Sequence, residues 1–360
     1  MIRILHIVGA MYPGGMENFI MNLYEKIDRE RFQFDFAVHK RKDNDYGELI
    51  ESMGGHIYEL PRLTRHPVKS LLTLYRLVKK NRYPLVIRHT ANALVSPQLL
   101  VAKLAGAKTI CHSHTETDAQ MLPHKLGKVL MPLATTDRMA CSPKAAKWMF
   151  GNASFTEVHN AIDLEKFSYS QKKAEKIEQE FALNNCHVYG HIGNFVASKN
   201  HLFMIDIFAE IKKIDPTAKF FFLGEGDMRP AIEAKRKELG LDDILILTGI
   251  RKDVANFMSR MNVLLFPSVY EGLPLTLIEA QIAALPMLIS DTITKEVVVT
   301  EGFVHWEKLQ TPASEWAKQA VKLACTENNR VCQEASITKA GYNIKSLVAF
   351  YEAYFAKLED

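Results

Sequence analysis

The sequence has few cysteines and no pattern that would pair them. Its five cysteines are scattered through 360 residues, odd in number, and without a C-x-x-C pair. Neither a disulfide framework nor a zinc site is therefore indicated, and we interpret the cysteines as core residues.

Long apolar runs are also missing. No stretch approaches the roughly 18 uninterrupted apolar residues of a membrane span. The opening residues 1–8 predict a strand rather than a signal peptide, so we expect a cytosolic protein. The loop after that strand, 9–17, is not G-x-G-x-x-G, and no acidic residue follows at the distance that a dinucleotide ribose requires, which argues against a nicotinamide enzyme.

Basic charge is concentrated in the first half of the chain. Residues 1–170 contain 23 lysines and arginines against 16 acidic residues, and residues 171–360 contain 22 against 25. Such asymmetry is compatible with nucleic acid, an anionic membrane surface or a phosphorylated substrate, and a chance distribution of surface charge explains it nearly as well. Residues 66–82 combine leucines with lysines and arginines and could rest on a membrane, although an ordinary amphipathic surface helix is the simpler interpretation. We expect no nucleic-acid partner.

The length suits two domains, each with its own core. Short apolar runs alternate with helical patterns in both halves, which is typical of a parallel sheet wound by helices and predicts two Rossmann-like domains. The predicted strands are 4–8, 34–38, 57–60, 85–87, 109–111, 188–192, 219–223, 244–247, 263–266 and 286–289. A polar segment and a charged helix, 160–181, predict the linker, and apolar residues recur at helical spacing in 344–355.

Two glutamates flank a Gly-Leu-Pro turn directly after the apolar run 263–266. Glu271 and Glu279 stand eight positions apart, and Pro274 predicts the first turn of a helix between them. Unpaired N–H groups from Gly272 to Thr276 would favour an anion such as a diphosphate, and the two carboxylates would accept hydrogen bonds from hydroxyls on either side. This arrangement indicates a sugar-nucleotide site, although an isolated pair of this kind is more often a capping residue and a solvated side chain.

The sequence resembles the retaining glycosyltransferases of family 4, which have the GT-B fold. The resemblance covers nearly the full length and rests on motifs in the family's order and spacing. These are Gly14-Gly15-Met16-Glu17, His112-Ser113-His114, Ala140-Cys141-Ser142-Pro143, Asn160-Ala161-Ile162-Asp163, Gly190-His191-Ile192-Gly193-Asn194-Phe195 with Lys199-Asn200, Leu223-Gly224-Glu225-Gly226, and the segment from Glu271 to Glu279.

The resemblance implies an N-terminal acceptor-side domain, 1–165 with a returning helix in 342–360, and a nucleotide-sugar-binding domain, 166–341. It implies that Glu271 contacts the donor sugar, that Glu279 contacts the ribose and that Lys199 neutralises the departing diphosphate. His114 is expected beside the transferred sugar, with His112 and Glu17 towards the acceptor. Glu17 capping its own helix is the alternative. The implied catalytic residues are Glu271, His114 and Lys199, and the implied donor-binding residues are Gly15, Asn194, Lys199, Gly224, Ile250, Arg251, Gly272, Leu273, Leu275, Thr276 and Glu279.

The sequence departs from the family at Asn194, where the family usually has an arginine. Either Lys199 acts alone on the diphosphate, or another cation such as Arg229 or Arg251 replaces the missing one. We expect no metal or other cofactor. Asp43 and Asp45 superficially match a metal-binding D-x-D, but they lie in a charged loop rather than at a strand end, and two histidines without a third ligand are too few for a metal site.

The expected function is transfer of a sugar from a nucleoside-diphosphate donor to a glycan or lipid-linked acceptor in bacterial surface polysaccharide assembly. The protein is expected in the cytoplasm, with possible peripheral contact to the inner face of the membrane. One alternative with the same fold is a sugar-nucleotide epimerase or phosphorylase, which a test for pyridoxal or free-sugar products would identify. A non-catalytic glycan-binding or scaffold subunit is another, motivated by Asn194, and donor hydrolysis without acceptor would exclude it.

Overall fold

A computed structural model describes residues 1–12, 14–41, 45–115, 121–326 and 330–358. The chain forms two units, residues 1–161 with 341–360 and residues 162–340. Each unit contains one parallel sheet wound by helices, which confirms the predicted α/β class with two Rossmann-like halves.

Unit 1 is built on a seven-stranded parallel sheet in the order β3-β2-β1-β4-β5-β6-β7. Its strands are β1 (Ile2–Ile7), β2 (Phe32–Val38), β3 (Ile57–Glu59), β4 (Leu85–Thr90), β5 (Lys108–Ser113), β6 (Asp137–Ala140) and β7 (Thr156–Glu157). Its helices are α1 (Gly15–Lys26), α2 (Gly47–Ser52), α3 (Pro67–Asn81), α4 (Ser96–Leu104), α5 (Met121–Ala134) and α6 (Pro143–Phe150). The strand order reverses between β1 and β4, and ligands of such sheets bind outside the carboxyl ends of the strands at that reversal.

Both faces of the first sheet are buried, as parallel sheets require. Alternate residues of β1 enter two different cores because successive side chains point to opposite faces. Ile4 packs in a cluster with residues of α1 and with Phe34 and Phe36 of β2. Leu5 packs in a different cluster, on the other face of the sheet, with Leu74 of α3.

Unit 2 has a six-stranded parallel sheet in the order β10-β9-β8-β11-β12-β13. Its strands are β8 (Val188–Ile192), β9 (Lys219–Leu223), β10 (Leu245–Gly249), β11 (Val263–Phe266), β12 (Met287–Ser290) and β13 (Val304–Glu307). Its helices are α7 (Leu164–Phe167), α8 (Gln171–Phe181), α9 (His201–Ile214), α10 (Arg229–Glu238), α11 (Val254–Arg260), α12 (Leu275–Ile282), α13 (Ala313–Ala324) and α14 (Glu334–Lys339).

The charged helix that the sequence places in the linker is α8, and it packs within unit 2. Ala174 and Ile177 are buried, and the Phe181 ring lies 4.9 Å from Phe221 and 5.8 Å from Phe257 between ring centroids. A narrow apolar face is sufficient for this packing, although most of the helix surface is charged.

The last helix, α15 (Ile344–Ala356), belongs to unit 1, although unit 2 separates it from the rest of that unit in sequence. Its apolar face enters the core with α1, and the Phe355 ring lies 5.6 Å from Phe32. Glu352 Oε1 accepts a hydrogen bond from the Asp28 N–H at 2.9 Å, and the Tyr354 hydroxyl donates to Asp137 at 2.6 Å. The predicted return of the terminal helix to the first domain is therefore confirmed.

Candidate functional site

Glycines hold together the loops that follow β8 and β9. Gly224 has φ +151°, and a Cβ there would overlap the carbonyl oxygen of Gly193. The Gly193 N–H donates to Leu223 O at 3.0 Å, and the Gly224 N–H donates to Gly249 O at 3.0 Å. Because only glycine adopts this backbone without strain, Gly224 shapes the edge of unit 2 on which the other predicted donor-binding residues lie.

Lys199 and Glu271 are 72 positions apart in sequence, and the structure brings them into contact. The Val269 N–H donates to Ser198 O at 2.8 Å, which joins the loop after β8 to the loop after β11. Asn200 adds a second link, since its side-chain amide donates to Pro267 O at 3.2 Å. Lys199 Nζ then lies 2.7 Å from Glu271 Oε1, a close ion pair without the alignment of a hydrogen bond.

The ion pair lies over an aromatic ring. Lys199 Nζ is 4.6 Å from the centroid of Phe266, the last residue of β11. Both charged side chains are mostly buried, with exposed fractions of 16% for Lys199 and 12% for Glu271. In this state each charge neutralises the other. A diphosphate that binds Lys199 would therefore replace the Glu271 carboxylate as the partner of the ammonium group.

Glu279 lies on α12 with a carboxyl group that has no protein partner among the described residues. The helix begins at Leu275 after Pro274, and no side chain caps it, which leaves first-turn N–H groups such as that of Thr276 for an anion. Burial raises the pKa of Glu279 to about 7, and Lys166 opposes this only in part. Solvent still reaches the side chain, so hydroxyl groups of a ligand can donate to it.

The remaining predicted donor residues differ in what the structure leaves accessible. Asn194 is exposed, as is Gly272, while Leu273 is partly buried. Ile250, directly after β10, is 80% exposed, so its side chain is accessible to a ligand.

Both proposed replacements for the missing arginine are ion-paired with carboxylates of unit 2. Arg251 forms ion pairs with Glu180 and Asp253, both with N–O distances of 2.8 Å. Arg229 is paired with Glu225 and Glu233. Among the described residues, Lys199 has one carboxylate partner, Glu271, whereas each guanidinium has two, so an anion would displace fewer ion pairs at Lys199 than at either arginine.

In unit 1, Gly15 and His114 line the same cavity. The cavity has a volume of about 440 Å³ and lies beside the strand reversal, with Gly9 from the end of β1 and Arg88 and His89 from β4 also in its wall. A Cβ at Gly15 would meet no atom within 4 Å, so the space beside this glycine is open. The predicted contact of a ligand with the Gly15 N–H is sterically possible.

His114 is the partly buried end of a row of histidines and lies in the wall of the cavity. Its Nε2 lies 2.9 Å from Nδ1 of His89, and Nε2 of His89 lies 3.0 Å from Nδ1 of His6. Burial lowers the pKa of His114 to about 3 and that of His6 to about 3, so all three rings are neutral near pH 7. His114 can therefore donate or accept a hydrogen bond at a ligand, but it does not supply a positive charge.

His112 is completely buried beneath His114, with the ring centroids 4.1 Å apart. It does not line the cavity, so a direct contact of its side chain with the acceptor does not fit its buried position. Glu17 folds back against Gly14: a Cβ at Gly14 would lie 2.7 Å from Glu17 Oε2, which favours the capping alternative for this residue.

The structure adds a third histidine, His89, to the pair His112 and His114 that the sequence indicates. Potential ligand atoms of His89, His112 and His114 all lie within 4.8 Å of one another. Both nitrogens of His89 already face other imidazoles, and the surroundings are aromatic, with Phe19 5.2 Å from His112. Metal-binding histidines normally donate to a carboxylate or carbonyl behind them.

The second candidate metal site is the D-x-D pair Asp43 and Asp45. Asp45 contacts Arg41 at 3.0 Å and accepts a hydrogen bond from the Gly47 N–H at 2.8 Å, and Asp43 lies outside the described residues.

Sequence reasoning missed Arg88, His89 and His6. All three lie inside strands, where the apolar neighbours of Leu85–Thr90 and Ile2–Ile7 dominate the pattern. A signal was present, because Arg88-His89-Thr90 puts polar residues at the end of a buried strand, where ligands of parallel sheets bind.

Two glycosyltransferase families match the chain. The family described as "Glycosyltransferase Family 4" matches residues 13–166, and "Glycosyl transferases group 1" matches residues 186–325. The putative glycosyltransferase EpsF of Bacillus subtilis is 30% identical over 96% of this chain and 94% of its own length. The UDP-Gal:alpha-D-GlcNAc-diphosphoundecaprenol alpha-1,3-galactosyltransferase of Escherichia coli is 24% identical over 84% of this chain and 82% of its own length.

Solved structures with little sequence identity share the whole fold. Anabaena HepE in complex with UDP superposes with a TM-score of 0.80 at 14% identity, covering 99% of this chain and all of HepE. A glycosyltransferase from Rickettsia africae superposes with a TM-score of 0.79 at 13% identity, covering all of this chain and 99% of the other. These neighbours confirm the GT-B fold. From the near-full-length relative and the two family matches we conclude that the chain is an enzyme that belongs to the glycosyltransferases described as group 1 and family 4.

Proposed function

We propose that this enzyme transfers a sugar, with retention of configuration, from a nucleoside-diphosphate donor to a glycan or lipid-linked acceptor of bacterial surface polysaccharide. The observation that carries the proposal is the cluster of Lys199, Glu271 and Glu279 around the uncapped start of α12. It combines a cation and helix N–H groups for a diphosphate with two carboxylates for hydroxyl groups. The name of the E. coli relative, with a UDP-sugar donor and a diphosphoundecaprenol-linked acceptor, supports the same substrate classes.

In the proposed mechanism, binding of the donor changes the partner of Lys199. The diphosphate takes the ammonium group, and the released Glu271 carboxylate turns to the sugar hydroxyls and to the positive charge that develops nearby. The leaving phosphate helps to take the acceptor proton, so no dedicated general base is required. No aspartate or glutamate lines the cavity of His114 among the described residues, which is consistent with this. Lys199 and helix N–H groups supply the charge that a metal ion would otherwise provide.

Contact with the inner membrane surface is part of the proposal. No helix within the described residues is long and apolar enough to cross a membrane. On α3, Val68 and Leu72 are 69% and 49% exposed beside Lys69 and Arg76, so this face can rest on anionic lipid. Helix α5 adds an exposed apolar row of Leu122, Leu126, Val129 and Leu133. Co-sedimentation with anionic and neutral vesicles tests this contact, and equal failure to bind both would exclude it.

The proposed activity is tested in two steps. Thermal-shift measurements with a panel of nucleotide sugars identify the donor, and product analysis by NMR with polyprenyl-diphosphate-linked acceptors then gives the anomeric configuration. We expect stabilisation by one nucleotide class and an α-linked product from an α-linked donor. An inverted product would contradict the retaining mechanism, and release of free sugar phosphate would favour a phosphorylase.

A further inference from the structure

A second cavity in unit 1 adjoins the cavity of His114 and is lined by basic residues. It has a volume of about 540 Å³ and lies at the carboxyl ends of β1, β2, β3 and β4. Gly9, Arg88 and Thr90 belong to the walls of both cavities. The polar side chains of this second wall include those of His39, Lys40, Arg62, Arg88 and Gln98, and none of its described residues is an aspartate or glutamate.

Arg88 carries a buried charge without a countercharge. The residue is 7% exposed, and its guanidinium donates to Ile7 O at 2.9 Å, His89 O at 2.6 Å and Gln98 Oε1 at 3.2 Å. All three acceptors are neutral, and no carboxylate pairs with Arg88 among the described residues. Burial lowers the pKa of Arg88 to about 10, so the group stays charged at neutral pH. A buried charge without a partner is costly, and an anionic ligand in the cavity would remove that cost.

Gln98 adds a buried donor without a partner. Its Oε1 accepts from Arg88, whereas its Nε2 makes no hydrogen bond although the residue is completely buried. Native structures rarely leave a buried amide N–H unpaired unless a ligand or an unseen water completes it. Since Gln98 lies in the wall of the cavity, a ligand oxygen there would satisfy it.

The rim of the cavity extends the positive charge. Arg62 and Lys40 are exposed, and neither forms an ion pair with a described carboxylate. His39 is fixed by the contact of its Nδ1 with Leu60 O at 3.2 Å. Burial lowers the pKa of His39, and Arg88 and Arg62 lower it further, so the fields of the two guanidinium groups overlap at this wall.

We propose that this cavity binds the diphosphate group of the acceptor. A buried arginine, an unpaired amide donor and two cations at the rim match the charge and the many acceptor oxygens of a diphosphate. The donor diphosphate already has Lys199 and the start of α12 in unit 2. The assignment to the acceptor rests on the proposed function, whereas the binding of a diphosphate does not.

Calorimetric titration of the full-length protein with inorganic pyrophosphate tests the cavity when a saturating nucleoside diphosphate occupies the second diphosphate site, at Lys199 in unit 2. We expect Arg62→Ala and Lys40→Ala each to weaken binding about tenfold, because each removes one charge-assisted contact. Arg65→Ala is the matched control, since it removes an exposed arginine three positions away that does not line the cavity, and it should leave affinity unchanged. Equal affinity in Arg62→Ala, Lys40→Ala and the native protein would overturn the proposal. Arg88→Gln extends the test if its melting temperature shows that it folds.

The source of the diphosphate is decided by competition. We expect geranyl diphosphate to displace pyrophosphate and to lose affinity in Arg62→Ala, while UDP binds Arg62→Ala as well as it binds the native protein. A loss of UDP affinity in this variant would instead place the donor in the cavity and overturn the acceptor assignment. Pyrophosphate binding that depends on Arg62, in a protein that transfers no sugar, would leave the cavity established and refute the proposed function. If Arg62→Ala retains transferase activity and its KM for the acceptor is unchanged, the proposed function stands and the assignment of the cavity to the acceptor diphosphate is refuted.

Discussion

Glu279→Gln should make the protein more stable at pH 8 and leave its stability at pH 4 nearly unchanged. The pKa of this carboxyl rises from its usual 4.5 to about 7 in the folded chain. Below pH 4.5 both the folded and the unfolded chain hold the proton, so the group does not affect stability. As the pH rises from 4.5 to 7 the unfolded chain loses the proton first, and stability falls until both states are ionised.

The size of this effect follows from the shift. One pKa unit corresponds to about 1.4 kcal/mol, so the full shift would amount to about 3 kcal/mol. Because water still reaches the side chain, we expect about 1–2 kcal/mol, or a rise of about 2–8 °C in melting temperature at pH 8. Glu238→Gln changes an exposed glutamate of the same unit and is the matched control.

The same carboxyl should make nucleotide binding depend on pH in the opposite direction. Only the ionised form accepts hydrogen bonds from both ribose hydroxyls, so affinity should rise as the pH passes through about 7. Glu279→Gln should flatten that profile, and Glu279→Ala should weaken binding by about 1.5–3 kcal/mol.

Two measurements on each variant decide this prediction. Melting curves between pH 4 and pH 8 report the cost to stability, and calorimetry with UDP, GDP and ADP over the same range reports binding. A nucleotide affinity that is unchanged in Glu279→Ala would refute the assignment to the ribose. A melting-temperature difference between Glu279→Gln and the native protein that does not grow with pH would refute the raised pKa.

Three further predictions concern the proposed chemistry. Glu271→Gln should reduce turnover much more than affinity for the bare nucleoside diphosphate, because the carboxylate interacts with the sugar hydroxyls and the positive charge near them and not with the nucleotide. An undiminished initial rate in a well-folded variant would exclude Glu271 from the site. Activity should persist in EDTA because Lys199 and helix N–H groups face the diphosphate, and loss of turnover with rescue by Mg²⁺ or Mn²⁺ would contradict this. Gly15→Ala should not lower the melting temperature, since a Cβ there meets nothing within 4 Å. It should raise the KM for the donor about tenfold, because the added methyl group keeps a phosphate away from the Gly15 N–H; an unchanged KM would exclude a phosphate contact at Gly15.

The sequence predicts most of the strands that the structure describes and misses three of them. Val188–Ile192, Lys219–Leu223 and Val263–Phe266 have the predicted bounds, because these segments are mostly apolar and belong to a parallel sheet that is covered on both faces. The sequence does not predict the strands Asp137–Ala140, Thr156–Glu157 and Val304–Glu307, because these short strands mix charged or polar residues with apolar ones and no apolar run marks them.

The sequence predicts the positions of several site residues but not their contacts or charge states. Motifs located Glu271 and Lys199 individually, but their ion pair depends on two loops that meet only in the fold. The charge state of His114 could not be predicted either, since it depends on how many uncharged groups surround the ring.

The position of α15 has a consequence for synthesis on the ribosome. Ile344, Leu347, Tyr351 and Phe355 complete the core of unit 1, yet they are translated after the whole of unit 2. Unit 2 can close on its own segment as it emerges, whereas unit 1 must wait with part of its apolar surface uncovered until the last helix leaves the exit tunnel. A nascent chain stopped near residue 341 should therefore bind chaperones through unit 1, and elongation through α15 should release it.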